Sequence, residues 1–345
     1  MNESRSRVIL VLGMHRSGTS ALTGVLSLLG ADSGTALISP HAATNPKGFW
    51  EHADILSIHD QLLTILGSSW DDERQLPELW WKSPALASLR QRLLEVIQRD
   101  FSESGLWILK DPRLCRLLPL WLDILHETGN CTPHFVFSLR HPLEVAKSLE
   151  NRDQIPEHSA CLLWLEHLIE AERWTQGYPR VAVSYGQLLV DWKSVIAHVS
   201  KTLNIPISTD NPAIAEEINR FLEPSLRHHH GSQLGTNGST WAQLALQAHA
   251  LVSAKPPDQW AKVLSPFADK VQHTSTQIAP WTYHSLTLRK QMQELQSNNA
   301  YLEQTNIYLH SELDRIKSTI SWQITKPLRL IANLSRHIRN VLRKS

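Results

Sequence analysis

One stretch, residues 8–30, constrains the fold of this chain more than any other. It opens with five consecutive apolar residues, Val8 to Leu12, a run typical of a strand buried on both faces of a parallel sheet. A short polar loop follows from Gly13 to Gly18, and apolar residues then recur at helical spacing until Gly30. A strand, a glycine-bounded loop and a helix present free backbone N–H groups and a helix N-terminus to an anion. The stretch therefore predicts a phosphate-binding loop.

The position of the cation separates this loop from that of nucleoside triphosphatases. Gly13 and Gly18 have the spacing of that motif, but Thr19 stands where the motif requires a lysine that reaches the terminal phosphates. The replacement argues against hydrolysis of ATP or GTP. The cation, Arg16, comes earlier, inside the sequence R-S-G-T-S.

R-S-G-T-S resembles the loop that binds the 5′-phosphosulfate in sulfotransferases that use 3′-phosphoadenosine 5′-phosphosulfate (PAPS). The resemblance implies a donor with a single 5′-phosphate, so that no triphosphate chain has to be held. It assigns the 5′ end of the donor to Arg16, Ser17, Gly18, Thr19 and Ser20. On the loop alone, a kinase-like fold and a loop without a ligand stay open as alternatives.

Further strands and helices alternate along the chain. Apolar runs at 106–110, 134–139 and 180–185 predict buried strands, and helical patterns occupy 84–99, 114–127, 157–176 and 187–203. This order predicts an α/β fold of the P-loop type, with a mostly parallel sheet between two helical layers. Because such sheets bind ligands at the carboxyl ends of their strands, Lys110 and Asp111 are predicted to lie at the ligand-binding edge.

A second motif follows the third strand. Arg140 and Ser148 lie eight residues apart in R-H-P-L-E-V-A-K-S, which resembles the 3′-phosphate-binding motif of the same sulfotransferases. Arginine offers a phosphate a bidentate clamp, and serine adds a directed hydroxyl. Tyr185, in S-Y-G-Q-L-L, resembles the family's tyrosine beside the adenine, and Arg227 falls where the family returns a basic loop over the 3′-phosphate. The resemblance covers about residues 7–230, and the pairing of the two motifs is more specific than either alone.

Sulfuryl transfer, like phosphoryl transfer, requires cations near the leaving oxygen and a base near the attacking hydroxyl. Arg16 and Lys110 are the predicted cations. For the base, the resemblance points to Glu51 in G-F-W-E-H, which is similar to the glutamate segment of tyrosylprotein sulfotransferases. Asp111 in K-D-P-R is the main alternative, and His52 is a third. In a purely structural role, Glu51 would be an acid in the first turn of a helix.

The C-terminal part has a different pattern. From Leu288 to Ile320, core positions follow a heptad without a slip, with Asn299 and Asn306 at one of them. Buried asparagine at that position favours a parallel two-stranded coiled coil, and hence a homodimer. The alternative is a single helix folded back on the domain. Residues 326–345 carry basic residues, no acids and an apolar face. This combination is typical of a helix that binds an anionic membrane surface or a protein partner.

Composition sets further limits. The chain has 345 residues, a net charge of +1 and three cysteines without C-x-x-C spacing. The charge gives no electrostatic argument for nucleic acid, and the cysteines favour reduced thiols and a cytoplasmic setting. The N-terminal residues show no apolar signal core, and no apolar run reaches membrane-spanning length.

The sequence therefore predicts an enzyme that moves a sulfuryl group from PAPS to a hydroxyl of a carbohydrate or glycolipid, releases adenosine 3′,5′-bisphosphate (PAP) and uses no metal. The alternatives are a small-molecule kinase and a non-catalytic nucleotide-binding scaffold. The histidine run at 228–230 is attributed to a solvated loop, because no partner stands at metal-ligand spacing. The predicted organisation is a nucleotide domain, a helical extension, a coiled coil and a basic tail, at 1–230, 231–284, 285–320 and 321–345.

Overall fold

The phosphate-loop stretch supplies an inner strand of a parallel sheet. The computed structural model of the chain describes residues 6–39, 48–129, 131–222, 239–319, 323–325 and 327–333. Among these residues, four strands pair in the order β2-β1-β3-β4, and every pairing is parallel. They are β1 (Ser6–Leu12), β2 (Leu106–Lys110), β3 (Cys131–Leu139) and β4 (Arg180–Ser184).

Helices connect and flank the strands. In chain order they are α1 (Thr19–Leu28), α2 (Ala53–Ile65), α3 (Ala87–Phe101), α4 (Leu114–Thr128), α5 (Pro142–Asp153), α6 (Glu157–Thr175), α7 (Tyr185–Val190), α8 (Trp192–Leu203), α9 (Pro212–Phe221), α10 (Thr240–Ser253) and α11 (Trp260–Ser318). Pro142 opens α5 at its first position, where its missing N–H costs nothing.

Both faces of the sheet are covered. Val8, Leu10 and Leu12 of β1 join one apolar core with residues of α2 to α6, α10 and the start of α11. Ile9 and Val11 point the other way and join a second core with α1, α8 and α9. Because successive strand residues face opposite sides, an uninterrupted apolar strand requires a helical layer on each face. The predicted α/β fold with a parallel sheet is confirmed.

Strand register brings the predicted motifs to one edge. Val11 pairs with Lys110 across β1 and β2, and Leu12 pairs with Phe137 across β1 and β3. The loop after β1, the end of β2 and the turn after β3 therefore meet at the carboxyl edge of the sheet. Open α/β sheets bind ligands at this edge.

The amphipathic segment predicted as one helix at 187–203 forms two. The strand before it ends at Ser184, so α7 begins at Tyr185, and Asp191 separates α7 from α8. Its carboxylate accepts a hydrogen bond of 3.1 Å from the backbone N–H of Ser194. A short acidic side chain that caps a helix start competes with continuation of the preceding helix.

The end of the predicted helical extension and most of the predicted coiled-coil segment belong to one helix, α11, which runs to Ser318. A single 3₁₀ turn, Pro257–Gln259, precedes it. The Trp260 indole is buried and donates hydrogen bonds to the carbonyls of Val252 and Lys255, which anchors the first turn. No glycine stands between 260 and 318 to supply a left-handed cap, and the predicted boundary at 284/285 falls inside the helix.

The chain divides into two compact units, Met1–Thr282 and Tyr283–Ser345. Residues 239–282 of the predicted helical extension thus share a unit with the sheet. None of the described helices combines the length and apolar composition that crossing a bilayer requires.

Candidate active site

The loop after β1 contains two residues with left-handed backbone conformation. Arg16 has a φ of 69° and Gly18 a φ of 87°, both in the left-handed region. At Gly18 the close approach of Tyr185 also excludes a side chain, because an added Cβ would lie 2.2 Å from that ring. The N–H of Gly13 donates to the Sγ of Cys115 at 3.2 Å. The loop is therefore fixed by residues from two other segments before any ligand binds.

The two predicted nucleotide motifs make direct contact. Nε of Arg16 donates to Oγ of Ser148 at 2.7 Å, and a terminal nitrogen of Arg140 donates to the carbonyl of Arg16 at 3.0 Å. These residues come from the ends of β1 and β3 and from α5. The structure thus joins, in one site, the loop predicted for the 5′ end of a nucleotide and the motif predicted for its 3′ end.

Two further side chains position Arg140. Glu144 is fully buried and accepts a hydrogen bond of 3.0 Å from Nε of Arg140. The Tyr185 ring lies under the guanidinium, 4.9 Å from its central carbon. Glu144 was not among the predicted site residues; its spacing, four residues after an arginine, was the available signal.

Lys110 and Glu51 form a buried ion pair. Nζ of Lys110 lies 2.5 Å from Oε1 of Glu51 and also donates to Oγ of Ser20 and to the carbonyl of Phe49, both at 3.1 Å. Glu51 precedes α2, so it is not the first-turn acid of that helix. The structure brings the predicted base and a predicted cation together beside Ser20 of the loop.

His52, the third candidate base, forms a contact between two helices. It precedes the first residue of α2, and its Nε2 lies 2.7 Å from the carboxylate of Asp100 at the end of α3. The imidazole is buried. Its contact with Asp100 joins the start of α2 to the end of α3.

Asp111 forms a buried network with His59 and Arg113. One carboxylate oxygen lies 2.7 Å from Nδ1 of His59, and the other accepts from Arg113 at 3.0 Å. The indole of Trp121 donates to Nε2 of His59 at 2.8 Å, so Nδ1 carries the proton that is donated to Asp111. Burial by itself would raise the pKa of Asp111, but the Arg113 guanidinium and the His59 hydrogen bond hold that pKa well below its usual range.

The remaining predicted loop residues, Ser17 and Thr19, differ in their hydrogen bonds. Ser17 is buried, and its Oγ has no hydrogen-bond partner within the described part of the chain. Thr19 is buried at the start of α1 and accepts, through its carbonyl, a hydrogen bond from Thr23. Arg227 and the histidines at 228–230 lie outside the described residues.

The site has an excess of positive charge around the loop. Burial lowers the pKa of Arg16, and the neighbouring guanidinium groups of Arg152 and Arg140 lower it further. Mutually repelling cations in a buried position are stabilised by a bound anion. Arg152 was not among the predicted site residues, because it lies outside both motifs.

The comparisons with known proteins were made on sequence and on structure. No family model matches the chain, and no curated protein matches it. Solved structures do resemble it. The sulfotransferase domain of the Synechococcus PCC 7002 olefin synthase aligns with a TM-score of 0.43 and 16% identity, over 73% of this chain and 95% of that one. Sulfotransferase STF1 of Mycobacterium tuberculosis aligns with a TM-score of 0.42 and 16% identity, over 70% and 75%.

Sulfotransferase STF9 of Mycobacterium avium gives a TM-score of 0.39 and 17% identity, over 76% of each chain. These neighbours are sulfotransferases. At such similarity, the functional conclusion depends on the geometry of the site itself.

Proposed function

We propose that this protein is a sulfotransferase that uses PAPS as the donor and a hydroxyl of a carbohydrate or glycolipid as the acceptor. The observation that carries the proposal is the 2.7 Å hydrogen bond between Arg16 and Ser148. It joins two motifs that are far apart in sequence and whose predicted ligands are the two ends of one nucleotide. The choice of carbohydrate rests on K-D-P-R, at 110–113, which resembles the K-D-P element of tyrosylprotein and bacterial carbohydrate sulfotransferases.

The donor end of the site fits a 3′,5′-substituted adenosine. The loop N–H groups at the start of α1 suit the 5′-phosphosulfate, as does the hydroxyl of Ser17, which has no partner among the described residues. Arg140, held by Glu144 and Tyr185, suits the 3′-phosphate together with Ser148. The Tyr185 ring, next to Arg140, suits a contact with the adenine.

The acceptor end pairs a base with a cation. Glu51 takes the proton from the attacking hydroxyl as the new O–S bond forms, and the S–O bond to the 5′-phosphate breaks. Lys110 and Arg16 stabilise the negative charge that develops on the leaving oxygen. Since protonation of Glu51 removes the negative partner of Lys110, the ammonium becomes a stronger donor to that oxygen. The ion pair thereby links proton removal to departure of the leaving group.

Asp111 has a supporting role in this proposal. Its two carboxylate oxygens are engaged by His59 and Arg113, and its side chain is 2% exposed. A carboxylate with a lowered pKa and two cationic or N–H partners is a weak proton acceptor. Asp111 therefore positions Arg113 at the end of β2, and Glu51 is the base.

A thermal-shift experiment with PAP, ATP and GTP tests the donor class. We expect PAP to raise the unfolding temperature without a divalent cation, because a ligand stabilises only the folded state that binds it. A shift with ATP and Mg²⁺ that exceeds the PAP shift would instead support a kinase. No shift with any of the three nucleotides would support the scaffold alternative.

We further propose that a second copy of the chain pairs with α11 through its heptad positions. Leu295, Leu302 and Leu309 recur every seven residues and are 68%, 61% and 58% exposed in the single chain. Asn299 and Asn306, at the alternate core position, are exposed as well. A regular row of exposed leucines is an interaction surface, and the asparagines favour a parallel two-stranded pairing.

Light scattering should show that the full-length chain is a dimer and that a chain lacking residues 285–345 is a monomer with unchanged PAP affinity. Replacing Leu302 and Leu309 with aspartate should also give a monomer, because two charges per helix would enter the apolar seam. Tyr301 and Tyr308 are equally exposed but lie off the seam, so the matched pair of aspartate substitutions there should keep the dimer. A dimer that survives the leucine substitutions would contradict the pairing.

The basic tail completes this proposal, although most of it lies outside the described residues. A parallel dimer places two tails at the same end, and each cation near an anionic lipid surface adds about 1 kcal/mol. We propose dimer-dependent attachment to the cytoplasmic face of a membrane. Full-length protein should sediment with anionic vesicles at low salt, and the chain without residues 285–345 should stay in the supernatant; full-length protein that ignores such vesicles would refute the attachment.

A further inference from the structure

A cluster of three side chains beside the loop has no role in the reaction described above. The imidazole of His15 and the indole of Trp70 have ring centroids 4.3 Å apart. The Arg152 guanidinium carbon lies 5.6 Å from the centroid of the same indole. Arg152 follows Ser148 by four residues in α5, so it lies one turn further along the same face of that helix. The cluster therefore adjoins the site through both the loop and α5.

Arg152 has unused capacity to bind an anion. Within the described part of the chain, its guanidinium donates a hydrogen bond only through Nε, to Asp153 at 2.6 Å. The terminal nitrogens, which form the bidentate fork that arginine offers to carboxylates and phosphates, have no protein partner there. Both members of the Arg152–Asp153 pair are partly exposed, so the pair satisfies little of the charge. Trp70 holds the guanidinium in place by a cation–π contact.

His15 also has an open hydrogen-bonding position. Its Nε2 is buried and has no partner among the described residues. Burial lowers the pKa of His15 well below its usual value, and the nearby charges of Arg113 and Arg152 lower it further. The ring is therefore neutral near pH 7 and can exchange a hydrogen bond with a sugar hydroxyl. A buried polar atom without a partner requires an explanation, and a ligand hydroxyl that completes its hydrogen bond supplies one.

Two neighbouring residues, Arg16 and Arg113, favour a place for the cluster on the acceptor side. His15 precedes Arg16, the cation assigned to the leaving oxygen, and Arg113 lies close enough to influence the pKa of His15. Arg113 in turn interacts with Asp60 and with the charge of Glu51. The adenosine side, by contrast, is occupied by Arg140 and Tyr185. Arg152 is not among the three cations, Arg16, Lys110 and Arg140, that the proposed function assigns to the donor.

We propose that His15, Trp70 and Arg152 form an acceptor subsite that selects a sugar bearing a carboxylate or phosphate. This inference rests on the proposed sulfotransferase function. Arg152 binds the anionic group through its terminal nitrogens, Trp70 positions Arg152, and Nε2 of His15 hydrogen-bonds a hydroxyl of the same sugar. The subsite presents a hydroxyl to Glu51 only when the acceptor carries its own negative charge.

Calorimetry on the full-length protein saturated with PAP tests the subsite. The probes are p-nitrophenyl β-D-glucuronide and p-nitrophenyl β-D-glucoside, which differ only at C6, where a carboxylate replaces a hydroxymethyl group. We expect the glucuronide to bind about 10- to 100-fold more tightly, as one charge-assisted contact provides. Glucose 6-phosphate against glucose forms a second arm and separates phosphate from carboxylate selection.

Arg152→Gln should remove this preference, so that the charged and neutral probes bind within about twofold of each other, while PAP binding stays at the parent value. Lys147→Gln is the matched control: it removes one exposed positive charge from the same helix and should keep the preference. Trp70→Phe should reduce the preference in part, because phenylalanine is the weaker cation–π partner.

The other outcomes contradict either the subsite or the proposed function, and the measurements distinguish the two cases. Equal binding of the charged and neutral probes to the parent protein, or binding of neither, excludes an anionic acceptor subsite. A loss of PAP affinity in Arg152→Gln would reassign Arg152 to the donor. Failure of the parent protein to bind PAP at all would instead refute the proposed function, and this is measured before any sugar is added.

Discussion

Replacing Glu51 with glutamine should lower turnover by about 10²- to 10⁴-fold while PAP affinity stays near that of the parent. Glutamine keeps the size of the side chain and an oxygen that accepts from Lys110, but it cannot take a proton. Lys110 would keep its bonds to Ser20 and to the carbonyl of Phe49, so the loop should hold its shape. Transfer from labelled PAPS to a glycan panel gives turnover, and calorimetry gives the dissociation constant of PAP.

Asp111→Asn is the paired control for that experiment. Asparagine at this position weakens the ion pair to Arg113 inside a buried network, so we expect a lower unfolding temperature and a smaller loss of turnover. The two variants thus separate an effect on the stability of the fold from an effect on the transfer step. If Asp111→Asn abolished turnover and Glu51→Gln retained it, the roles of the two carboxylates would have to be exchanged.

The adjacent residues Lys110 and Asp111 show where sequence reasoning reaches its limit. Strand order and the K-D-P-R sequence were enough to predict that both lie at the carboxyl edge of the sheet. Successive residues at a strand end point to opposite sides, however, and the sequence does not say which side faces the ligand. The structure turns Lys110 toward Glu51 and Asp111 toward His59 and Arg113.

The contacts between distant residues that support the site could not be predicted from the sequence either. The contact between Gly13 and Cys115 joins residues that are 102 positions apart, and no local pattern marks either one as a partner of the other. The cluster of His15, Trp70 and Arg152 likewise draws on three separate segments. By contrast, the strand–loop–helix pattern of residues 8–30 is local, and its fold followed from hydrophobic periodicity alone.

Replacing Arg140 with alanine should weaken PAP binding by about 2–4 kcal/mol, because a charged bidentate contact to the 3′-phosphate is lost. The fully buried Glu144 loses its ion pair in this variant, so the unfolding temperature must be measured alongside affinity. Calorimetric titration with PAP gives the dissociation constant, and adenosine 5′-monophosphate, which lacks the 3′-phosphate, should bind the parent and Arg140→Ala proteins with similar affinity.

Two further substitutions refine the assignment of Arg140. Arg140→Lys keeps the charge and the partner of Glu144 but removes the planar fork, so its PAP affinity should lie between those of the parent and the alanine variant. Ser148→Ala removes one hydroxyl and should cost less than Arg140→Ala, about 0.5–1.5 kcal/mol. An Arg140→Ala protein that is folded and binds PAP like the parent would show that the 3′-phosphate lies elsewhere. The contact between Arg16 and Ser148 would then join the loop to α5 for structural reasons alone.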